Sequence, residues 1–256
     1  MTTAVLSAVQ TEIDLLVDSL DATRREDIAR WPVWIGEVEG SPVVLAKTGL
    51  GKVNAAALTA LVWHVHRPRT FVFTGVAGGL DPRLEIGDIV IGERTIQHDA
   101  GVIVPGGELD RYQAGHIPFF NPTDEFGFSP SDELLARLRS VAVKARLTPV
   151  LDREPAITFG TILTGDQFLH DPETRDRLHR ELAGHAIEME GAAVAQVASR
   201  LGVDHVVIRS LSDLAGSEAT HDFDRYLPQV SANSARLVLG LLAGLEEDHR
   251  NHPVGP

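Results

Sequence analysis

The stretch "TAVLSAVQTEIDLLVDSL", residues 3–20, sets the pattern from which the fold is read. Its first seven residues form an apolar, small-residue run that suits a strand buried on both faces. The next eleven place Ile13, Leu16, Val17 and Leu20 at helical spacing. The same alternation recurs along the chain. "PVWIGEVEG" and "SPVVLAKTG" read as paired strands around a Gly-Ser-Pro turn. A helix over 53–66 is followed by the strand "TFVFTGVAGG" (70–79), which runs into glycines, and by the strand "GDIVIGERTIQ" (87–97). A helix is expected over 131–145 with Ser131 as its N-cap, a strand over 156–165 and a polar helix over 171–182. The short strand "HAI" precedes an alanine-rich helix, and "HVVIRSLSD" (205–213) is the last strand. A long final helix is expected to start or break near Pro228. Strands and helices that alternate without a linker predict one α/β domain over residues 1–248, followed by a loose tail at 249–256.

The alternation lapses between 99 and 130, a segment rich in glycine, proline and aromatics and too long for an idle connection. Ile117, Pro118, Phe119, Phe120, Phe126 and Phe128 are too apolar to leave in water, so this insertion is expected to be a lid or a subunit contact. The formal net charge of −13 argues against nucleic acid and anionic membrane partners. No cysteine is present, which excludes disulfides and thiolate chemistry. With neither a basic leader nor an apolar run of membrane-spanning length, the expected location is the cytoplasm. His64 and His66 are two apart on a helix and cannot easily chelate together, and His249 and His252 fall in the tail, so no metal is assigned.

Two glycine turns, "TGVAGGL" (74–80) and "GLGKVN" (49–54), follow strands, but neither has dinucleotide or P-loop spacing. The carboxylates are more informative. Glu12, Glu188, Glu190 and Asp213 each follow a strand, and in a parallel sheet the segments after the strands meet at one edge. One such acid is explained by the helix macrodipole, worth about 0.5 kcal/mol. Several converging ones point to chemistry.

The segments "AVQTEIDLL", "TGLGKVNAA", "TGVAGGLDPRLEIGDIVI", "TGDQFL", "IEMEGAAVAQVA" and "VVIRSLSD", in this order and spacing, resemble the nucleoside phosphorylase and nucleosidase superfamily. The likeness is greatest to 5′-methylthioadenosine/S-adenosylhomocysteine nucleosidases. It implies a three-layer αβα fold around a central, largely parallel mixed sheet, a homodimer, a nucleoside substrate and no cofactor. It also implies roles. Glu12 would activate the attacking water, with Arg209 near it. Glu190 would hold the ribose hydroxyls beside Glu188, and Met189 would pack against the sugar. Phe168 would stack on the purine, and the Leu169 backbone would read its edge. Asp213, steadied by Ser212, would protonate purine N7, and Phe223 would line the 5′ pocket. Val76, Ala77 and Gly78 would form the turn beside the sugar.

The chemistry fits those residue types. Breaking an N-glycosidic bond needs an acid for the leaving base and a second carboxylate for water. The alternative is a phosphate-dependent purine nucleoside phosphorylase of the same fold. The resemblance places arginine at the positions of Glu12 and Phe73 in such enzymes, and serine at that of Val76. A carboxylate would repel phosphate, so water is the expected nucleophile. Nucleosidases usually carry serine at the position of Val76, and the 99–130 segment also departs from them. Methylthio, homocysteinyl and futalosine-type 5′ groups therefore stay open.

Overall fold

Strand β1 (Thr3–Ser7), buried along its whole length, lies between β4 (Ser41–Lys47) and β5 (Thr70–Gly79) and runs parallel to both. The structure, a computed structural model, describes residues 2–251. Beyond β5 the sheet continues through β11 (Asp204–Asp213), β6 (Ile89–Gln97), β9 (Ile157–Thr164) and β10 (Gly184–Glu188). Beyond β4 it ends in an antiparallel meander of β3 (Trp31–Val38) and β2 (Asp21–Ile28). The β3–β4 hairpin turns on Glu39 and Gly40, both at positive φ (50° and 83°), as a two-residue turn that matches strand twist requires.

Along β5, Phe71 and Phe73 face one side and Val72 the other, and all three are fully buried. Both faces of the sheet are therefore covered, which explains why the strand sequences read as continuous apolar runs. One core joins Leu6, Phe71 and Phe73 to helices α2 (Lys52–His66) and α5 (Gly191–Arg200) through Leu58, Val62 and Val194. The other joins Val5, Val72 and Ile208 to α1 (Gln10–Asp18), α3 (Asp132–Lys144) and α6 (Ala219–Asn251) through Ile13, Leu138 and Val238. Helix α4 (Pro172–Leu182) packs beside β10. The layers are helix, sheet, helix.

Sequence periodicity leaves four points to the structure. The sheet is more mixed than expected, with five parallel pairings and four antiparallel ones. Strand β10 turns back along β5, pairing Ala186 with Gly79 and Ile187 with Gly78, so that β5, β11, β6, β9 and β10 close into a ring. Strand β2, "DATRREDI", was not foreseen because its charges hide the pattern. They suit a sheet edge, where Arg24 pairs with Glu26 and Arg25 with Asp27. Helix α6 starts at Ala219 and carries Pro228 inside it, well ahead of the expected start, and it runs on to Asn251. The tail expected from 249 therefore opens in helix, and residues 252–256 lie outside those described.

The 99–130 segment carries a small hairpin, β7 (Gly101–Ile103) with β8 (Leu109–Arg111). Phe126 packs on the core beside Ile96 and Leu163, whereas Phe119 and Phe120 are 85% and 81% exposed.

Strand β5 is the common partner of β1, β11 and β10, so its packing should dominate stability. Phe71→Ala is expected to cost about 3–5 kcal/mol in urea unfolding, as truncating a fully buried aromatic does. A cost below about 1 kcal/mol would show that β5 is not this hub.

Candidate functional site

Gly75, in the middle of β5, is the point on which the charged groups converge. Its φ is +151°, and a Cβ there would collide with Glu12 Oε1 and with Arg209 Nη1. Only glycine lets the two side chains meet across the strand.

Glu12 arrives from α1. Its Oε2 accepts hydrogen bonds from the Ser7 hydroxyl (2.8 Å) and from the amides of Ala8 and Val9 (2.9 Å each). These amides are open because they precede the helix, so the carboxylate caps α1. Its Oε1 accepts one bond, from Val76 N–H at 3.0 Å, and keeps a lone pair for a further donor. The side chain is 4% exposed.

Arg209 arrives from β11, paired with Gly75 in register and completely buried. Its guanidinium lies 4.4 Å over the Phe73 ring, bonds Glu188 through Nη2, and stands 3.5 Å from Glu190 Oε2. Burial works against its charge, but Glu188, Glu12 and Glu190 outweigh burial and hold its pKa above the ordinary arginine value.

Glu188 and Glu190 divide the two readings of an acid at a helix start. Glu188 accepts from Thr164 Oγ1, from Gly191 N–H (2.7 and 2.9 Å), from Glu190 N–H (3.1 Å) and from Arg209. Both its oxygens are thus engaged in capping α5 and pairing Arg209. Glu190 instead reaches across to α2, where the amide of Gly51 donates to its Oε1 at 2.7 Å. Burial, and then the adjacent charge of Glu188, push the Glu190 pKa up to about 7.

Asp213 closes the far end of β11. Its Oδ2 accepts from Ser212 Oγ (2.9 Å) and its Oδ1 from Ala215 N–H (2.8 Å). A Cβ on Gly78, its partner in register, would lie 2.9 Å from Oδ1, so this glycine too makes room for a carboxylate. Burial raises the Asp213 pKa above the usual aspartate range.

Among the remaining expected residues, Val76 and Ala77 are buried on β5 and Met189 is half-buried. Behind Val76 lies an apolar cluster of Ile86, Val150, Tyr226 and Val230, with Phe223 packed against it. Phe168, half exposed, meets Phe223 edge-to-face with ring centroids 6.0 Å apart. The loop that carries Phe168 is joined to the start of α6, which carries Phe223, by His170, whose Nε2 donates to Ser217 O (2.5 Å) while Nδ1 accepts from Thr220 Oγ1 (3.3 Å). Leu169 turns inward onto the core beside Leu163 and Leu178.

The sequence does not reveal Ser7, Gly51, Phe73, Gly75 and Thr164 as parts of this network. The glycine turns at 49–54 and 74–80 were the available signal, weak because a tight turn alone explains them. The reason for convergence also differs in part from expectation. Glu12 follows β1 and Asp213 ends β11, strands that run parallel to β5 as expected. Glu188 and Glu190 join them because β10 runs antiparallel to β5 and returns these two acids toward Gly75.

Glu190 sets a stability signature. In the folded chain its pKa lies near 7, against 4.5 for the ordinary group, so between those values the folded state holds a proton that the unfolded state has lost. Stability should therefore fall as pH rises from about 4.5 to about 7 and level off above. Asp213 contributes in the same direction. Thermal unfolding of Glu190→Gln should show a shallower slope across this window and a higher Tm at pH 8. An unchanged slope would mean that Glu190 holds no such proton.

Residues 2–243 match the family model described as the phosphorylase superfamily. A protein of Mycobacterium bovis named 5′-methylthioadenosine/S-adenosylhomocysteine nucleosidase is 44% identical, over 94% of this chain and 97% of its own. A Bacillus subtilis protein of the same name is 35% identical, over 94% and 98%. Among solved structures, the Neisseria meningitidis nucleosidase of that name, in complex with methylthio-immucillin-A, superposes with a TM-score of 0.82 at 33% identity, covering 94% of this chain and 98% of its own. The futalosine hydrolase of Helicobacter pylori superposes with a TM-score of 0.81 at 27% identity, covering 96% and 98%.

Proposed function

The chain belongs to the phosphorylase superfamily, and we propose that within it the protein is an N-ribosyl hydrolase acting on purine nucleosides with a modified 5′ position, of the methylthioadenosine and S-adenosylhomocysteine class. The observation that carries this reading is Glu12. A carboxylate with a free lone pair on Oε1 stands at Gly75 and Val76 of β5, where a phosphorylase needs positive charge for phosphate. The neighbouring guanidinium does not supply it, because Arg209 is committed to Glu188 and Glu190.

The reaction then divides between two carboxyl groups. Glu12 Oε1 accepts a proton from water as the water oxygen bonds C1′ of the ribose. The C1′–N9 bond breaks and its electron pair leaves with the purine. Asp213, whose pKa burial raises, delivers a proton to N7 of the leaving base. The products are free base and free sugar, and exchange with solvent restores both carboxyl groups. Ser212 and Ala215 orient Asp213 through one hydrogen bond to each oxygen.

Binding groups surround these two. Glu190 receives the ribose 2′ and 3′ hydroxyls, with Met189 against the sugar. Glu188 supports Arg209 and α5. Phe168 stacks on the base and the Leu169 backbone reads its edge. Val76, Ala77 and Gly78 border the sugar, and the apolar surface formed by Phe223 with the cluster behind Val76 suits a thioether at C5′.

We read residues 1–248 as a single catalytic domain acting as a homodimer in the cytoplasm. The contact surface is the exposed apolar set on α2, the turn before it and the 99–130 segment, including Leu50, Val53, Ile103, Phe119 and Phe120. Among the described residues no helix is long and apolar enough to cross a membrane.

Base release from methylthioadenosine, S-adenosylhomocysteine, futalosine, inosine and adenosine, with and without phosphate, tests the reaction. Free base with free sugar, indifferent to phosphate, is expected. A strict phosphate requirement with a sugar 1-phosphate product would make the protein a phosphorylase. Asp213→Asn and Glu12→Gln should each lower kcat by about 10²–10⁴-fold, the range of a lost acid or base. A variant that keeps most of its activity would remove that residue from its role.

A further inference from the structure

The site's grip on ribose depends on a group outside the reacting set. Gly51 N–H, the donor to Glu190, belongs to the turn that opens α2, and three contacts pin that turn. Lys52 N–H donates to Asp166 Oδ1 at 2.9 Å. Lys52 Nζ lies 2.7 and 2.8 Å from the two oxygens of Asp99, and 3.9 Å from Asp166 Oδ2. Asp166 N–H in turn donates to Asp99 Oδ2 at 3.2 Å. Asp99 follows β6 and Asp166 follows β9, so Lys52 ties the start of α2 to two strands of the closed ring. The side chains of Lys52 and Asp99 are about four-fifths buried (19% and 21% exposed), so the pair is sheltered from solvent. Burial alone would raise the Asp99 pKa, and Lys52 outweighs it and lowers the value.

The backbone allows little substitute for this anchoring. Gly51 has φ +89°, so it sits in a conformation that side-chain-bearing residues rarely adopt, and a Cβ there would press on Asp166 Oδ1 at 3.1 Å. In the single chain the turn is exposed around Leu50, a position that the proposed dimer contact would cover. Without the Lys52 contacts, the turn keeps the Glu190 bond and an Asn54-to-Leu50 carbonyl contact of 2.7 Å. It also keeps backbone bonds from Ala55 N–H to Gly51 O (3.2 Å) and from Gly49 N–H to Ala8 O (3.1 Å). None of these reaches β6 or β9, the strands of the ring that Asp99 and Asp166 follow.

We propose that Lys52 and Asp99, with Asp166, are positioning residues that hold the Gly51 amide on Glu190 and thereby set the affinity for the ribose hydroxyls. This rests on Glu190 being the ribose-holding group. The amide fixes Oε1 of Glu190, and Oε2, 3.5 Å from Arg209, keeps lone-pair capacity for the sugar hydroxyls. A charge-assisted hydrogen bond of this kind is strong only when its donor is kept in place.

Steady-state kinetics on Lys52→Met, Asp99→Asn, Lys52→Arg and Glu190→Gln test this, with methylthioadenosine and its 2′-deoxy analogue as substrates and thermal melting as the fold control. Lys52→Met and Asp99→Asn should raise KM for methylthioadenosine about tenfold, the worth of a weakened bond to a charged group. Their kcat should stay within about twofold of the parent. The KM penalty should shrink toward none on the deoxy analogue, and Lys52→Arg should restore most of the binding. The acid limb of kcat/KM should also move to higher pH, because Glu190, facing Glu188, Glu12 and Arg209, loses the amide that favours its charged form. Parent-like KM in both clamp variants would overturn the proposal while leaving the ribose reading intact. An equal loss on both substrates would also overturn it, marking the clamp as merely structural. Unchanged KM in Glu190→Gln would instead overturn the ribose reading, and the proposal with it.

Discussion

The fully buried guanidinium of Arg209 is the constraint around which the site is built. An arginine without solvent is tolerated only if opposite charge and hydrogen bonds replace its water. Here Glu188 bonds it, Glu190 and Glu12 stand beside it, and the face of Phe73 closes one side. Each requirement fixes a piece of chain. Glu188 must end β10, Gly75 must lack a side chain, and β10 must turn back along β5 to bring its acids within reach. Removing the cation would leave the engaged carboxylates uncompensated, so site and fold are coupled through it.

That arrangement leaves negative charge in surplus. Three glutamates surround one arginine, and the protein relieves the strain by raising the pKa of Glu190. The surplus suits the reaction proposed for the site, since a ribosyl group that loses its base develops positive charge as the bond breaks. A preorganised negative surround favours that state more than the neutral substrate. The price is the stability cost of crowded buried carboxylates. Asp213 lies apart from this group, at the end of β11, where burial keeps it suited to giving up a proton.

Much of this was legible in the chain. Strand–helix alternation carried the layer architecture, because strands buried on both faces leave long apolar runs and the helices between them keep their period. Charge obscured β2, an edge strand for which apolar alternation is not required. Pro228 misled about α6, since a proline inside a long packed helix is tolerated where neighbours hold it. The acids were recognisable as a set, but their partition was not. Glu188 and Glu190 are two residues apart, and only the path of β10 decides that one caps α5 while the other crosses to Gly51. Lys52, Asp99 and Asp166 come from three separate segments, and no local pattern joins them.

The ring closed by β10 has a consequence for how the protein accommodates change. Glu12, Arg209, Glu190 and Asp213 sit on or against strands that cannot slide without breaking the ring, whereas Phe168 stands on the loop after β9 and Phe223 in the first turns of α6, where His170 links the two segments. Bond-breaking groups are thus carried by rigid framework and the lining of the mouth by replaceable trim. A lineage can alter these two segments to suit a new 5′ tail and leave the framework, with its chemistry, untouched.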